Sequence, residues 1–197
     1  IEILQKRIQA RCATDIAFLD RMVWAVNGKN LLRGITTPPA LTPSLTEFCR
    51  TLNPDQDPGF ISVNPPLWAR RDCCSMNVEK TVGEKGGKAI YGYKIWANDV
   101  YAEAVAHCIW EAPDGQLVDV TFNQDGETTI LFVPVPAMSQ TTLQHGGEQP
   151  RFALDPDMIE LVEIEKEHSK AAQYVWTSED ESWDKELTYE QWLAGKR

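Results

Sequence analysis

The chain has 197 residues, 43% hydrophobic and 24% charged, the make-up of a folded globular protein rather than a disordered one. Net charge is −10, and the stretch from Asp155 onward, twelve acidic against five basic residues, supplies −7 of it, so a phosphate backbone is repelled and no nucleic-acid partner is expected. No run nears the ~20 apolar residues that span a bilayer, so no membrane partner is expected either.

The start, "IEILQKRIQARCATDIAFLD", is charged throughout and holds no signal-peptide core; lacking Met, it is expected to be trimmed of any leader. Ile1, Leu4, Ile8, Cys12, Ile16, Leu19 and Val23 recur at three- and four-residue steps and predict one helix over 1–26, stopped by Asn27 and Gly28. "TTPPALTPSL" is a proline-broken connection. A helix follows from about Pro43 to Leu52, with Thr42 ahead of Pro43 and capping-box spacing between Ser44 and Glu47. "NPDQDPGFISVNPPLWARRD" reads as a long loop, of the kind that is functional or mobile.

"CCSMNVEKTVGEKGG" predicts a short helix with Cys74, Val78 and Val82 on one stripe and Gly86-Gly87 at its end. "KAIYGYKIW" is a strand by its aromatic and β-branched content. Residues 103–112 and 116–122 form a hairpin around "PDG", and "ETTILFVPVP" is a strand that Pro134 and Pro136 end or place at the sheet edge. "MSQTTLQHGGEQPRF" reads as a loop and "DPDMIELVEIEKEHSKAAQ" as a helix capped by Asp155. "WTSEDESWDKELTYEQWLAGKR" reads as a mobile arm closing on a short helix capped by Thr188. The expected class is α+β: one domain over 1–153, with a helical part at 1–52 and a chemical core at 70–135, then an acidic helical tail over 154–197.

The hairpin carries the chemistry. If Ala112 faces Gln116, then Ile109 lies opposite Asp119 and His107 opposite Thr121, and all four share one face. His107 and Asp119 become diagonal neighbours roughly 7–8 Å apart at the backbone. A carboxylate there fixes the tautomer of the imidazole and leaves its other nitrogen to act as a base. A turn one residue longer would send the two to opposite faces. The nucleophile expected beside them is a cysteine at the helix start, where free N–H groups and the helix dipole favour a thiolate. Cys73 and Cys74 both qualify, with Arg70 and Arg71 adding positive potential; Cys74 shares the inward stripe.

A cysteine opening a helix, then strands, then histidine on one strand and aspartate on the next, resembles the papain-like superfamily. "HCIWEAPDGQLVDVT" is similar to the pattern of its transglutaminase-like branch, and NlpC-type proteins share the chain order. The likeness covers about residues 70–135 and implies a helix opened by cysteine packed on an antiparallel sheet. It implies Cys74 as nucleophile, His107 as base and Asp119 as orienting group, with Cys73 as alternative nucleophile. The activity implied is that of a cysteine hydrolase or acyltransferase acting on an amide or thioester bond of a protein or peptide. No motif names the oxyanion or substrate contacts, for which Asn64, Trp68 and Asn77 are candidates, with Tyr91 and Tyr93 lining a groove or simply packing.

Other readings stay open. Five cysteines without regular spacing point to a reducing, cytoplasmic setting rather than a disulfide framework. A metal held by Cys73, Cys74, His107 and Cys108 lacks the C-x-x-C or H-x-x-x-H spacing of known sites, so no metal and no cofactor are expected. Cys108 reads as core, His145 as a loop residue that a cleft-covering loop could carry to the site, and His168 as solvated. Trp176, Trp183 and Trp192 lie in acidic sequence and are placed to dock a partner or the protein's own surface. A papain-like binding or inhibitor module without turnover is the competing function.

Overall fold

One long hairpin organises the molecule, a computed structural model that describes residues 1–26, 33–144, 149–171 and 179–196. β2 (Lys88–Ala97) and β3 (Tyr101–Glu111) pair antiparallel without interruption from Lys88↔Glu111 to Ala97↔Ala102. Asn98 closes their turn, its side-chain oxygen accepting the N–H groups of Val100 and Tyr101 at 3.0 and 2.8 Å. β1 (Gly59–Val63), β4 (Leu117–Asp119) and β5 (Thr129–Pro134) extend the sheet in the order β2-β5-β1-β4-β3. The β2–β3 pairing closes this order into a small barrel, and β6 (Arg151–Ala153) adds to the first residues of β3. β1 and β4 run parallel; the other ladders are antiparallel.

Alternation along the strands sorts their side chains onto two faces. The outer face carries Ile95, Ala97, Ala102, Ala104, Leu131 and Val133, covered by α3 (Pro43–Leu52) through Leu45, Phe48 and Cys49. Farther along the same face lie Cys108, Val118 and Val120, covered by α4 (Cys74–Lys85) through Val78. Each large side chain sealed this way stabilises the fold by about 1.5–3 kcal/mol. Ile61, Ile109, Ile130 and Phe132 form a separate cluster on the opposite face, the one that also bears His107 and Asp119. At the hairpin turn, α1 (Glu2–Cys12), α2 (Ile16–Val26) and α6 (Ile159–Ala171) gather around Tyr101 and Met158.

The first expected helix is two. Asp15 breaks it, its carboxylate accepting the Phe18 N–H at 2.9 Å and starting α2 afresh. The restart rotates the buried stripe: Phe18, Met22 and Ala25 are buried, whereas Ile16, Leu19 and Val23 face solvent. The stop assigned to Asn27 and Gly28 lies outside the described residues. Thr42, not Ser44, caps α3 by accepting the Leu45 N–H. β1 falls inside the segment read as a long loop, and α5 (Gln140–Gln144) and β6 inside the later one. β5 has neighbours on both sides, so Pro134 ends it and it is not an edge strand. Pro156–Met158 form a 3₁₀ turn under the Asp155 cap ahead of α6. The acidic arm holds α7 (Glu179–Lys185) and α8 (Tyr189–Leu193), the latter with a full capping box between Thr188 and Gln191. No described helix is long and apolar enough to cross a membrane.

Candidate active site

The turn at 112–116 fixes the geometry of everything around it. The Ala112 N–H donates to the Gln116 carbonyl and the Gly115 N–H to the Ala112 carbonyl, both at 2.9 Å. Gly115 takes the left-handed φ of 88° that this tight reversal requires. The ladder reads Glu111↔Leu117 and Trp110↔Val118 and then stops. Asp119 turns to β1 instead, pairing with Val63 and accepting the Asn64 N–H on its carbonyl at 2.8 Å. The two strands therefore part just where His107 and Asp119 face each other.

Their side chains close that gap. His107 Nε2 lies 3.0 Å from Asp119 Oδ2, and Asp119 Oδ1 accepts the Thr121 N–H at 2.8 Å. Both residues are buried. Cys74, the first residue of α4 and half-buried, packs on the cluster of Val78, Cys108, Val118 and Val120. α4 thus lies over the Cys108 face and not, as a flat sheet would require, over the His107 face. Cys74 at the helix start nonetheless acts on the imidazole through charge and hydrogen bonding. Burial alone would push the His107 pKa down. The Asp119 charge and the charge and hydrogen bonding of Cys74 prevail and hold it up, to about 10.

The two adjacent cysteines differ in surroundings. Cys73 is the N-cap of α4, buried, with no side-chain capping bond. Burial, with Glu186, Cys74 and Asp72, pushes its thiol up to about 12. Cys108 is also fully buried, and burial raises its thiol pKa. Arg71 is committed to Glu186, through Nε at 2.9 Å and Nη2 at 2.8 Å, and Arg70 Nη1 donates to the Glu186 carbonyl at 2.8 Å. The two arginines thus hold the acidic arm, which offsets the positive potential expected of them at the helix start.

Asn77 is sealed beneath the segment that leads into α4. The Arg70 N–H donates to its Oδ1 at 2.8 Å, and its Nδ2 donates to the Arg70 carbonyl at 2.7 Å and to Thr121 Oγ1 at 3.1 Å. Its amide thereby ties the cysteine side of the site to the aspartate side. Asn64 is exposed, and Trp68 is half-buried with Lys80 Nζ 4.2 Å above its ring. Tyr91 packs under α4 and Tyr93 beside α3, both on the outer face. His168 is exposed on α6; His145 and Trp176 lie outside the described residues. Trp183 stacks on the Arg70 guanidinium, 5.6 Å from it, and Trp192 packs against Phe122 and Tyr189, so the arm docks on the protein's own surface.

Two features escape a reading of the chain by motif. Gly92 pairs with His107, and a Cβ there would sit 2.1 Å from the Val133 carbonyl and 2.7 Å from the Phe132 ring. Its absence lets Phe132 stand edge-on to the imidazole, centroids 6.5 Å apart. A lone glycine inside "YGY" is the available signal for such close approach. The second is a buried ion pair, Lys94 Nζ to Glu127 Oε2 at 2.9 Å. Lys94 and Glu127 are 33 residues apart in sequence, and only the β2–β5 pairing brings their segments together.

Among the described residues, no group of three or more histidine, cysteine, aspartate and glutamate side chains is arranged to hold a metal. No protein-family model matches the chain, and no curated protein or solved structure matches it either.

Proposed function

We propose that the protein is a cysteine-dependent hydrolase or acyltransferase of papain-like, transglutaminase-like type, working on an amide or thioester bond of a protein or peptide. The observation that carries the reading is the buried His107–Asp119 contact at 3.0 Å together with Cys74 at the start of α4, whose charge and hydrogen bonding also act on the imidazole. Cys74 is the nucleophile, His107 the proton carrier and Asp119 the group that orients the ring.

The raised pKa of His107 suits the ring to take the Cys74 thiol proton and hold it as the imidazolium. The Cys74 sulfur attacks the carbonyl carbon, forming a C–S bond as the carbonyl π electrons move to oxygen. Backbone N–H groups at the start of α4 face the developing oxyanion. The oxyanion collapses, the C–N or C–S bond to the leaving group breaks, and His107 gives that group its proton. Water then attacks the acyl carbon, giving its proton to His107; the C–S bond breaks, the electron pair returns to the Cys74 sulfur, and the acyl group leaves as acid. An amine in place of water gives a crosslinked amide, the acyltransferase outcome.

The burial of Cys73 and its raised thiol pKa favour Cys74 over its neighbour. Alkylation by iodoacetamide at neutral pH tests this. Cys74→Ala should abolish rapid labelling and Cys73→Ala should leave it intact; persistence of labelling after Cys74→Ala rejects the assignment. If neither cysteine labels in the folded protein, the competing binding-module reading stands in its place.

A further inference from the structure

We propose that the C-terminal arm is a positioning strap for this reaction: through Glu186, Leu187 and Tyr189 it holds residues 67–72 so that Cys74, not Cys73, opens toward His107. The inference rests on the functional reading above and deepens it. Residues 187–190 run antiparallel to 67–71. The Arg71 N–H donates to the Leu187 carbonyl at 3.1 Å, the Tyr189 N–H to the Ala69 carbonyl at 2.9 Å, and the Glu190 N–H to the Leu67 carbonyl at 3.0 Å. Glu186 adds its carboxylate to Arg71 and its carbonyl to Arg70. These bonds fix the run that delivers Asp72, whose left-handed φ of 57° turns the chain into the cysteine pair.

The same arm grips the other side of the site. The rings of Tyr189 and Trp192 lie 5.2 and 5.8 Å from that of Phe122, three residues beyond Asp119. One short segment therefore spans the chain entering Cys74 and the chain leaving Asp119. No residue of α8 is itself buried, and its two rings cover the buried Phe122 from outside. Burial of Cys73 favours its neutral thiol, and the charge of Glu186 adds to that effect.

The experiment follows iodoacetamide labelling of the full chain against pH, with fragment masses assigning the label to Cys73 or Cys74. Glu186→Gln should slow Cys74 labelling about tenfold and bring Cys73 labelling about one pH unit lower. Glu186→Asp, which keeps the charge, should restore the Cys73 profile. Tyr189→Pro removes the N–H donor and the ring at a position where a helix start accepts proline, and should slow Cys74 in a chain that still folds, as its far-ultraviolet circular dichroism reads. If Glu186→Gln fails to fold, Tyr189→Pro decides. Folded variants that keep the parent pattern at both cysteines, or that label Cys74 faster, overturn the strap. A parent whose Cys74 does not label at neutral pH defeats the functional reading instead, and the Cys73 shift in Glu186→Gln still decides the strap.

Discussion

His107 and Asp119 meet through a carboxylate that has no freedom to turn: Oδ2 faces Nε2 at 3.0 Å while Oδ1 is anchored by the Thr121 N–H at 2.8 Å. With both oxygens engaged, the ring is held at Nε2. Asp119→Asn keeps the shape but presents an amide to the ring. Its expected effect is a loss of about 10²–10⁴-fold in the proposed Cys74 reaction, from removal of the carboxylate that stabilises the imidazolium. The His107 ring should then titrate at lower pH, which NMR of its carbon-bound protons reads directly. An unchanged titration would show that Asp119 does not govern the ring.

Stability should fall on both the alkaline and the acid side, for opposite reasons. The His107 pKa rises from 6.5 to about 10 on folding, so between those values the native state keeps a proton that the unfolded chain has released. Its contribution is complete below 6.5 and is lost as pH climbs through 10. Glu127 behaves inversely. Burial opposes its charge, but Lys94 and the Thr36 and Thr37 donors bring its pKa down from 4.5 to about 2, so its contribution is present above 4.5 and disappears toward 2. Urea midpoints across this range should flatten on the alkaline side in His107→Asn and on the acid side in Glu127→Gln. Slopes identical to the parent would rule out these groups as the source.

The turn was legible because PDG permits few registers: Ala112 facing Gln116 follows from the residues, and the period of two puts His107 and Asp119 on one face, but the ladder stops at Trp110↔Val118, so the expected pairings of Ile109 with Asp119 and His107 with Thr121 are not made. α4 was legible for the same kind of reason, a stripe at Cys74, Val78 and Val82 ended by Gly86 at φ 72°. Periodicity failed at α2, where Asp15 resets the helix and Phe18 takes the buried place expected of Leu19. It failed again at β1, whose five residues sit among prolines and gain their strand character only from β4 and β5. The face on which α4 packs was not legible at all. A linear pattern says that Cys74 points inward, but only the closed sheet shows that it packs on the Cys108 face. The clasp of Arg71 by Glu186 is likewise a contact across 115 residues with no local signal.

Gly92→Ala tests whether the barrel tolerates any side chain opposite His107. The added methyl would meet the Val133 carbonyl at 2.1 Å, a backbone atom that cannot swing aside, as well as the Phe132 ring. The expected cost is about 3 kcal/mol, at the upper end for overpacking, because β2 and β5 must separate to accept it. Denaturant unfolding measures it. A cost below about 1 kcal/mol would mean that the ladder at Gly92↔Pro134 yields readily.

Lys94 and Glu127 bury both charges of an ion pair, and Trp96 Nε1, Thr36 Oγ1 and the Thr37 N–H also donate to the carboxylate. Removing one partner should matter more than removing the attraction, because it leaves the other charge stranded out of water. Lys94→Met is accordingly expected to cost about 3–5 kcal/mol near neutral pH. The sign of its pH dependence separates this cause from lost packing. Without the ammonium, Glu127 ionises less readily in the folded state, so acidification protonates it and relieves the variant while it weakens the parent. The gap between the two should narrow as pH falls below about 5. Paired unfolding curves at neutral and acid pH measure that gap, and a gap that stays constant would assign the loss to packing rather than to charge.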